Sequence, residues 1–425
     1  MIATANRDSV QQEFTHPEAL ARPACRAGDS LDQRTFQRIR RRAILEGCKW
    51  DPQVGDVSTL AAFPLILSGQ TWTELATLTE RLAVETVQAE QEILQRPELL
   101  SQLGLPRAVC RVLRSPEHVT PAAVRVMRFD FHPTQDGWRI SEVNSDVPGG
   151  FTEASFFTGL MAEHFPDSRP AGNPIELWAN AIAEIAGQNG KVGLLTAPGF
   201  MEDHQIVAYL ADHLRARGCE THLATPVQLS WLKGAAHLET DWHSGKLDAV
   251  VRFFQSEWLP HLPRRCDWRK FFRGGGTPVG NPGTAVTAES KRFPLLWDEL
   301  QIPLPTWRAL LPETRDVREA NWRDDHGWLL KAALCNTGDE VCIRDLMKPR
   351  DWSRLHWDVW LRPNHWVAQR RFESEPIETP LGPMHVCLGV YSINGKAAGI
   401  YARLAKRPLI DYASMDVPVL VDNDE

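Results

Sequence analysis

Apolar residues recur at helical spacing between about residues 31 and 113. Phe36, Ile39, Ala43 and Ile44 form one stripe, and Leu75, Leu78, Leu82, Val84 and Val87 form another in a long charged helix. Pro106 and Pro116 break the run. The period then shortens to two. Arg128-Phe-Asp130-Phe-His132 and Ser141-Glu-Val-Asn144 alternate as strands do, and Pro133-Thr-Gln-Asp-Gly137 between them reads as a hairpin turn. An odd-length loop places Arg128, Asp130, Glu142 and Asn144 on one face, with Met127, Phe129, Phe131 and Val143 on the other. A helix-like stretch follows from Glu153 to His164.

From Lys191 the pattern changes again. Val192–Thr196 is a short apolar strand, Gln205–Arg217 a helix ending at Gly218, and Glu220–Ala224 and Leu247–Phe253 two more strands. Strand, helix and strand at this spacing predict a parallel α/β unit whose strand-end loops face a cleft. Residues 273–283, rich in glycine and proline, read as a linker or loop, and Glu289–Leu300 as a helix. Gly327–Ala332, Glu340–Ile343, Trp366–Arg370, Met384–Tyr391 and Ala397–Arg403 read as strands, with a turn at Cys335–Asp339 and a hairpin turn at Asn394-Gly395.

Composition narrows the function classes. A chain of 425 residues, 43% hydrophobic, holds two or three domains with sizeable cores. A net charge of −7 argues against non-specific nucleic-acid binding. No apolar run is long enough to span a bilayer, and the first residues lack the apolar core of a signal peptide. The eight cysteines are scattered with no CxxC pair, which predicts neither a zinc site nor a disulfide framework and suits a reducing cytoplasm.

The polar hairpin face carries the chemistry. Two carboxylates and an amide oxygen (Asp130, Glu142, Asn144) suit a hard cation such as Mg²⁺, and Arg128 beside them suits phosphate. Spacing alone favours a solvated sheet face over a metal site, since polar strand faces are usually just wet. Lys291 and Lys331 taken singly are ordinary surface lysines, and Gly274-Gly-Gly276 lacks the GxxxxGK[ST] pattern of a phosphate loop.

Taken in order, these segments resemble the synthetase domain of glutathionylspermidine synthase, a circularly permuted ATP-grasp family, from about Arg128 to the C-terminus. The resemblance implies an ATP-grasp-like α+β and α/β fold with a parallel, pre-ATP-grasp-type subdomain. It also implies Arg128 at the reacting phosphate, and Asp130, Glu142 and Asn144 as Mg²⁺ ligands. Asn281-Pro282 with Lys291, then Lys331, match the family's phosphate lysines. Gln369 resembles the adenine strand, and Gly399–Arg403 the strand whose arginine meets phosphate. The turn Asn336-Thr-Gly338 corresponds to the loop closing over the phosphates, and Glu202, Asp203 and Glu257 to segments lining the substrate cleft.

The implied reaction joins a peptide or amino-acid carboxylate to an amine, such as a polyamine, through an acyl phosphate, with ATP and Mg²⁺ as cofactors, small-molecule or peptide substrates as partners, and no nucleic acid or membrane. The chain departs from the family at Asn336, where an arginine is usual, and at Gly149-Gly150, where the thiol-peptide ligase has hydroxyl residues. A helical segment stands where the bifunctional enzyme has its amidase. The expected division is a helical segment at 1–120, the metal-ligand hairpin at 121–170, a substrate-side α/β unit at 171–288 and nucleotide-binding subdomains at 289–425. Two other readings fit the residues: an ATP-binding pseudoenzyme or regulatory protein, motivated by Asn336, and a Rossmann-type oxidoreductase on residues 191–253. The second is the weaker, because Gly193–Gly199 lacks GxGxxG spacing.

Overall fold

The structure is a computed structural model that describes residues 25–54, 57–115, 124–334, 340–411 and 413–423. Its main elements, in chain order, begin with β1 (Cys25–Ala27), α1 (Gln33–Leu45), β2 (Leu65–Leu67), α2 (Gly69–Gln95) and α3 (Arg107–Leu113). The polar hairpin follows as β3 (Val126–Thr134) and β4 (Gly137–Asn144), then β5 (Ser168–Pro170). The middle of the chain supplies α4 (Pro174–Ala186), β6 (Lys191–Thr196), α5 (Met201–Arg215), β7 (Glu220–Ala224), β8 (Ala249–Phe253) and β9 (Val279–Gly280). The last third supplies β10 (Thr314–Asp316), β11 (Trp328–Ala332), β12 (Val341–Cys342), α6 (Pro349–Leu361), β13 (Trp366–Arg370), β14 (Gly382–Ile393), β15 (Lys396–Ala405), β16 (Met415–Val417) and β17 (Val419–Asp422).

The central sheet is antiparallel in the order β16-β15-β14-β3-β4. Its apolar face carries Met127, Phe129, Phe131 and Val143, all buried, and packs with Leu75, Leu82 and Ala89 of α2 in the largest core. Each buried phenylalanine contributes about 1.5–3 kcal/mol. Val84, placed on the same stripe by spacing, is instead 51% exposed, so the buried stripe of α2 is narrower than its apolar content suggests.

Two flanking sheets complete the cleft. The parallel sheet runs β9-β8-β6-β7, as the strand–helix–strand pattern predicts. Its α5 starts at Met201, four residues before the periodicity becomes visible, with Glu202 and Asp203 in the first turn, where acids favour a helix start. The third sheet runs β10-β13-β11-β12.

Three local expectations change. The hairpin loop is two residues rather than five, because Thr134 still pairs with Gly137, whose φ of 98° suits glycine. The stretch 289–300 is not one helix: it has Val286–Glu289 and a 3₁₀ turn at Phe293–Leu296, with extended backbone at Ser290 that lets Lys291 N–H donate to the Ala333 carbonyl. The N-terminal segment contributes strands as well as helices. β2 pairs in parallel with β17, joining the 60s to the last residues described.

α2 also organises distant chain. Its Glu85 accepts from the N–H groups of Thr306 and Trp307 at 3.0 and 3.1 Å, capping a short helix, and Glu92 accepts from Gln301 and Ile302.

Candidate active site

The hairpin register decides the site. Arg128 lies opposite Asn144 and Asp130 opposite Glu142, with an irregularity just after Asp130. All four share one face, but through that irregularity, which inserts Ser141 as an extra residue in β4, and not through an odd-length loop. On the neighbouring strand Tyr391 stands opposite Arg128 and Gly389 opposite Asp130, and on β15 Arg403 stands opposite Cys387. Gly389 is a position the sequence reading missed. A Cβ there would come within 2.7 Å of Arg128 Cδ, so only glycine leaves the guanidinium room to lie across the sheet.

Arg128 forks onto Asp130, donating from Nε at 2.8 Å and from Nη2 at 3.0 Å, and its Nη1 donates to the Gly149 carbonyl at 2.9 Å. The guanidinium also lies over the Tyr401 ring at 5.3 Å. Asn144 Nδ2 donates to Asp130 at 3.1 Å, which turns its amide oxygen to other partners.

Glu142 faces two lysines, with Lys291 Nζ at 3.4 Å and Lys331 Nζ at 4.0 Å. Burial alone would push the Glu142 carboxyl up, but Lys291, Lys331 and Arg128 outweigh it and hold the group below the usual glutamate range. Lys331 Nζ also donates to the Ser141 carbonyl at 2.8 Å, and Lys291 reaches Glu289 at 3.4 Å. Burial, followed by the effect of Lys331, depresses nearby His132 to about 4 despite Asp130, so it stays neutral.

Two cavities open on this face. One, about 1040 Å³ counted to its mouth, is lined by Asp130, Glu142, Lys331 and Gln369. The other, about 2010 Å³, is lined by Asn144, Glu202, Asp203, Trp258 and Asp416. Arg128, Tyr401 and Arg403 line both, so the cavities meet at two guanidinium groups. Lys291 lies in a smaller recess that also holds Glu142, Lys331 and Gln369. Gln369 Nε2 donates to Thr314 Oγ1 at 3.1 Å. Arg403 donates to the Asp411 carbonyl at 2.5 Å and has Asp416 at 4.0 Å.

Of the residues singled out from sequence, Glu257 lines neither cavity, although its neighbours Gln255 and Trp258 line the larger. Burial, then Asp146, raises its carboxyl to about 7. Asn336 and Gly338, with the turn they belong to, lie outside the described residues.

The larger cavity contains a network the sequence did not reveal. Lys49, with 5% of its side chain exposed, pairs with Asp51 at 2.8 Å, with Asp416 at 3.2 Å and with Glu153. Burial opposes its charge, but Glu153, Asp416 and Asp51 together keep it protonated well above the ordinary range. Asp203 has the opposite setting: burial, then the Glu202 charge, raises it to about 7, and its Oδ2 is buried with no hydrogen-bond partner among the described residues. Glu202 meets solvent in the cavity, yet the surrounding walls remove enough water for burial to lead its upward shift, followed by Glu153.

Two further motifs prove to be structural supports. Asp146 is held by buried Arg252, by Ser256 N–H at 2.7 Å and by Ser256 Oγ at 2.8 Å. Asn281 accepts from Val126 N–H at 2.7 Å and donates to the Val126, Ser145 and Asp146 carbonyls. Both tie the parallel sheet to the hairpin and so fix the site.

Comparison with known proteins agrees with this architecture. A search of curated proteins gave no match. Among solved structures, a glutathione synthetase-like effector from Globodera pallida, in its apo form, superposes with a TM-score of 0.58 at 11% identity, covering 90% of this chain and 97% of the other. This likeness concerns the fold. A protein assigned as a gamma-glutamylcysteine synthetase from Methylobacillus flagellatus matches at a TM-score of 0.37 and 12% identity over 81% of this chain and 85% of that one. The D-alanyl-alanine synthetase A of Vibrio cholerae matches at 0.31 and 12% over 52% and 68%. The family model described as glutathionylspermidine synthase pre-ATP-grasp matches residues 53–422, nearly the whole described chain, and the protein therefore belongs to that family.

Proposed function

We propose that the protein is an ATP-dependent carboxylate–amine ligase that forms an amide through an acyl phosphate. The observation that carries this reading is the meeting of two cavities at Arg128 and Arg403. A carboxylate is a poor electrophile and needs a phosphoryl group from one side and an amine from the other. Two chambers sharing only a cationic and aromatic boundary suit that order of events.

The donor set fits a hard divalent cation: Asp130 and Glu142 are acidic, adjacent and on one face with Asn144, and Glu142 is held ionised. When bound there, Mg²⁺ would neutralise phosphate charge. Lys291, Lys331, Arg128 and Arg403 would hold the phosphates in place. Gln369 would read the adenine edge through its amide, with Thr314 fixing its orientation. On the far side Asp203, whose buried Oδ2 has no hydrogen-bond partner among the described residues, would receive an ammonium group, with Glu202 beside it. Glu257 would act only from behind that wall.

The test is ADP release from Mg-ATP with pooled peptides and amino acids, each with and without pooled amines. We expect turnover that needs both pools and falls about 10³-fold or more in Glu142→Gln, with the fold unchanged. Absence of ATP binding would overturn the reading. The pseudoenzyme alternative keeps one specific observation, Asn336 in place of the family's arginine, and tight ATP binding without release in every pool would favour it.

A further inference from the structure

Away from the cleft, at the start of the edge strand of the parallel sheet, three potential ligands converge. Glu220 and His222 stand two apart on β7 and so share a face. His243 comes from the turn just before the short strand Ser244–Lys246, which belongs to a three-stranded antiparallel sheet. Their ligand atoms all lie within 4.8 Å of one another. Glu220 Oε1 is 3.2 Å from His222 Nε2 and 3.8 Å from His243 Nδ1. The imidazole rings lie against each other at a 32° tilt with centroids 3.9 Å apart.

We propose that Glu220, His222 and His243 form a binding site for a borderline divalent transition metal, foremost Zn²⁺, that clips the edge strand to the adjoining hairpin turn. Two imidazoles and a carboxylate are a three-ligand zinc set, leaving a fourth position for water. Nitrogen and oxygen ligands at about 2.0–2.1 Å from a tetrahedral zinc lie about 3.4 Å from each other, close to the 3.2 and 3.8 Å that separate Glu220 Oε1 from the two imidazole nitrogens.

The histidines have few competing partners. His243 Nε2 is buried without a hydrogen-bond partner among the described residues, and buried His222 Nε2 has the Glu220 carboxylate, itself a proposed ligand, at 3.2 Å. The His243 side chain is 7% exposed, so its ring gives up water without a protein partner in exchange.

The turn is built to hold the ring. Thr240 N–H donates to the His243 carbonyl at 2.8 Å, and Thr240 Oγ1 accepts from Trp242 and His243 N–H at 3.2 and 3.0 Å. Lys191, paired with Glu220 across the sheet, has Nζ 3.8 Å from Glu220 Oε2, the oxygen not facing the imidazoles. A hard cation would prefer an oxygen cage, which the two imidazoles do not provide.

The test uses the full chain, stripped of metal and titrated with Zn²⁺ against a chromophoric chelator, then with Co²⁺ as a spectroscopic stand-in. We expect one zinc equivalent, tetrahedral Co²⁺ d–d bands without thiolate charge transfer, and a Zn²⁺-dependent rise in Tm. Glu220→Gln should weaken binding at least about tenfold, since even second-shell losses at metal sites cost about that much. The double variant His222→Ala with His243→Ala should abolish binding. Wild-type zinc affinity in a folded double variant, no stoichiometric uptake by the wild type, or thiolate bands that place the metal on cysteine would each overturn the proposal. If the double variant does not fold, Glu220→Gln decides: its side chain is 51% exposed and packs no core, so unchanged affinity there sinks the site. None of these readouts depends on ligase turnover.

Discussion

The two chambers share a wall yet set their carboxylates in opposite ways. On the hairpin side Glu142 is buried against Lys291, Lys331 and Arg128, and their charge overrides burial, so the acid stays ionised. On the other side burial leads, the Glu202 charge adds to it, and the Asp203 carboxyl rises to about 7. Burial is similar; the sign of the neighbours differs. Under the proposed function, the first chamber would take anions and a hard cation, and Asp203 in the second would hold acidity in reserve for a positively charged guest.

The largest effect should come from the shared wall. Arg128→Lys keeps the charge but loses the fork onto Asp130 and the lie over Tyr401. ADP formation should fall about 10²–10³-fold while ATP affinity changes much less. Equal loss of turnover and affinity would make Arg128 a simple binding charge and erase the contrast between the chambers.

Next is Lys49, which pairs with Glu153, Asp51 and Asp416 in the acidic chamber, where Arg403 is a second cation 4.0 Å from Asp416. Lys49→Met leaves buried carboxylates without this counter-charge, at a cost of about 3–5 kcal/mol in urea unfolding at pH 8. The loss should shrink toward pH 5, because Glu153, whose carboxyl Lys49 now holds low, can then take up a proton. A loss independent of pH would mean that Lys49 acts by packing its chain rather than by charge.

How much of this was legible beforehand follows from the distances along the chain. The hairpin was readable because period-two alternation and its polar residues lie within some twenty positions, and the parallel unit because strand and helix periods alternate locally. β2 was hidden, because Phe63-Pro-Leu-Ile-Leu67 is a short apolar run with no period, and its partner β17 lies at the other end of the chain. Lys49 and Asp416 gave no signal for the same reason: buried charge networks are assembled by tertiary structure, and no local pattern announces them. Gly389 could have been suspected as a glycine inside a strand, which often marks close approach of another group. The helix expected at 289–300 failed where Lys291 N–H found the Ala333 carbonyl, just past the end of β11, instead of a helical one.

Asp203 supplies a test in pH. Its carboxyl is raised in the folded protein, so the native state holds a proton that the unfolded chain gives up near 3.8. Its share of stability is complete below that value, declines as pH rises, and is gone above about 7. Asp203→Asn should flatten this decline in an unfolding series from pH 4 to 8. The same ionisation creates the negative charge for an ammonium guest, so amine affinity should rise about tenfold from pH 6 to 7.5 in the wild type and stay level in the variant. A wild-type affinity that is flat across this range would remove Asp203 from amine binding.

The smallest effect should lie at the back of the hairpin-side chamber, the proposed nucleotide site. Gln369 is 4% exposed and lines the smaller cavity, with its Nε2 committed to Thr314 Oγ1. That bond fixes which end of the amide faces the cavity: the carbonyl oxygen remains to accept from an exocyclic amino group, which adenine has at the position where guanine presents a carbonyl. Gln369→Leu should therefore raise KM for ATP only a few-fold, as loss of one neutral hydrogen bond costs about 0.5–1.5 kcal/mol, with kcat nearly unchanged. The ATP-over-GTP preference should fall by a similar factor. A fall in kcat at constant nucleotide preference would place Gln369 among the residues that position Lys331, one strand away on β11, rather than among those that read the base.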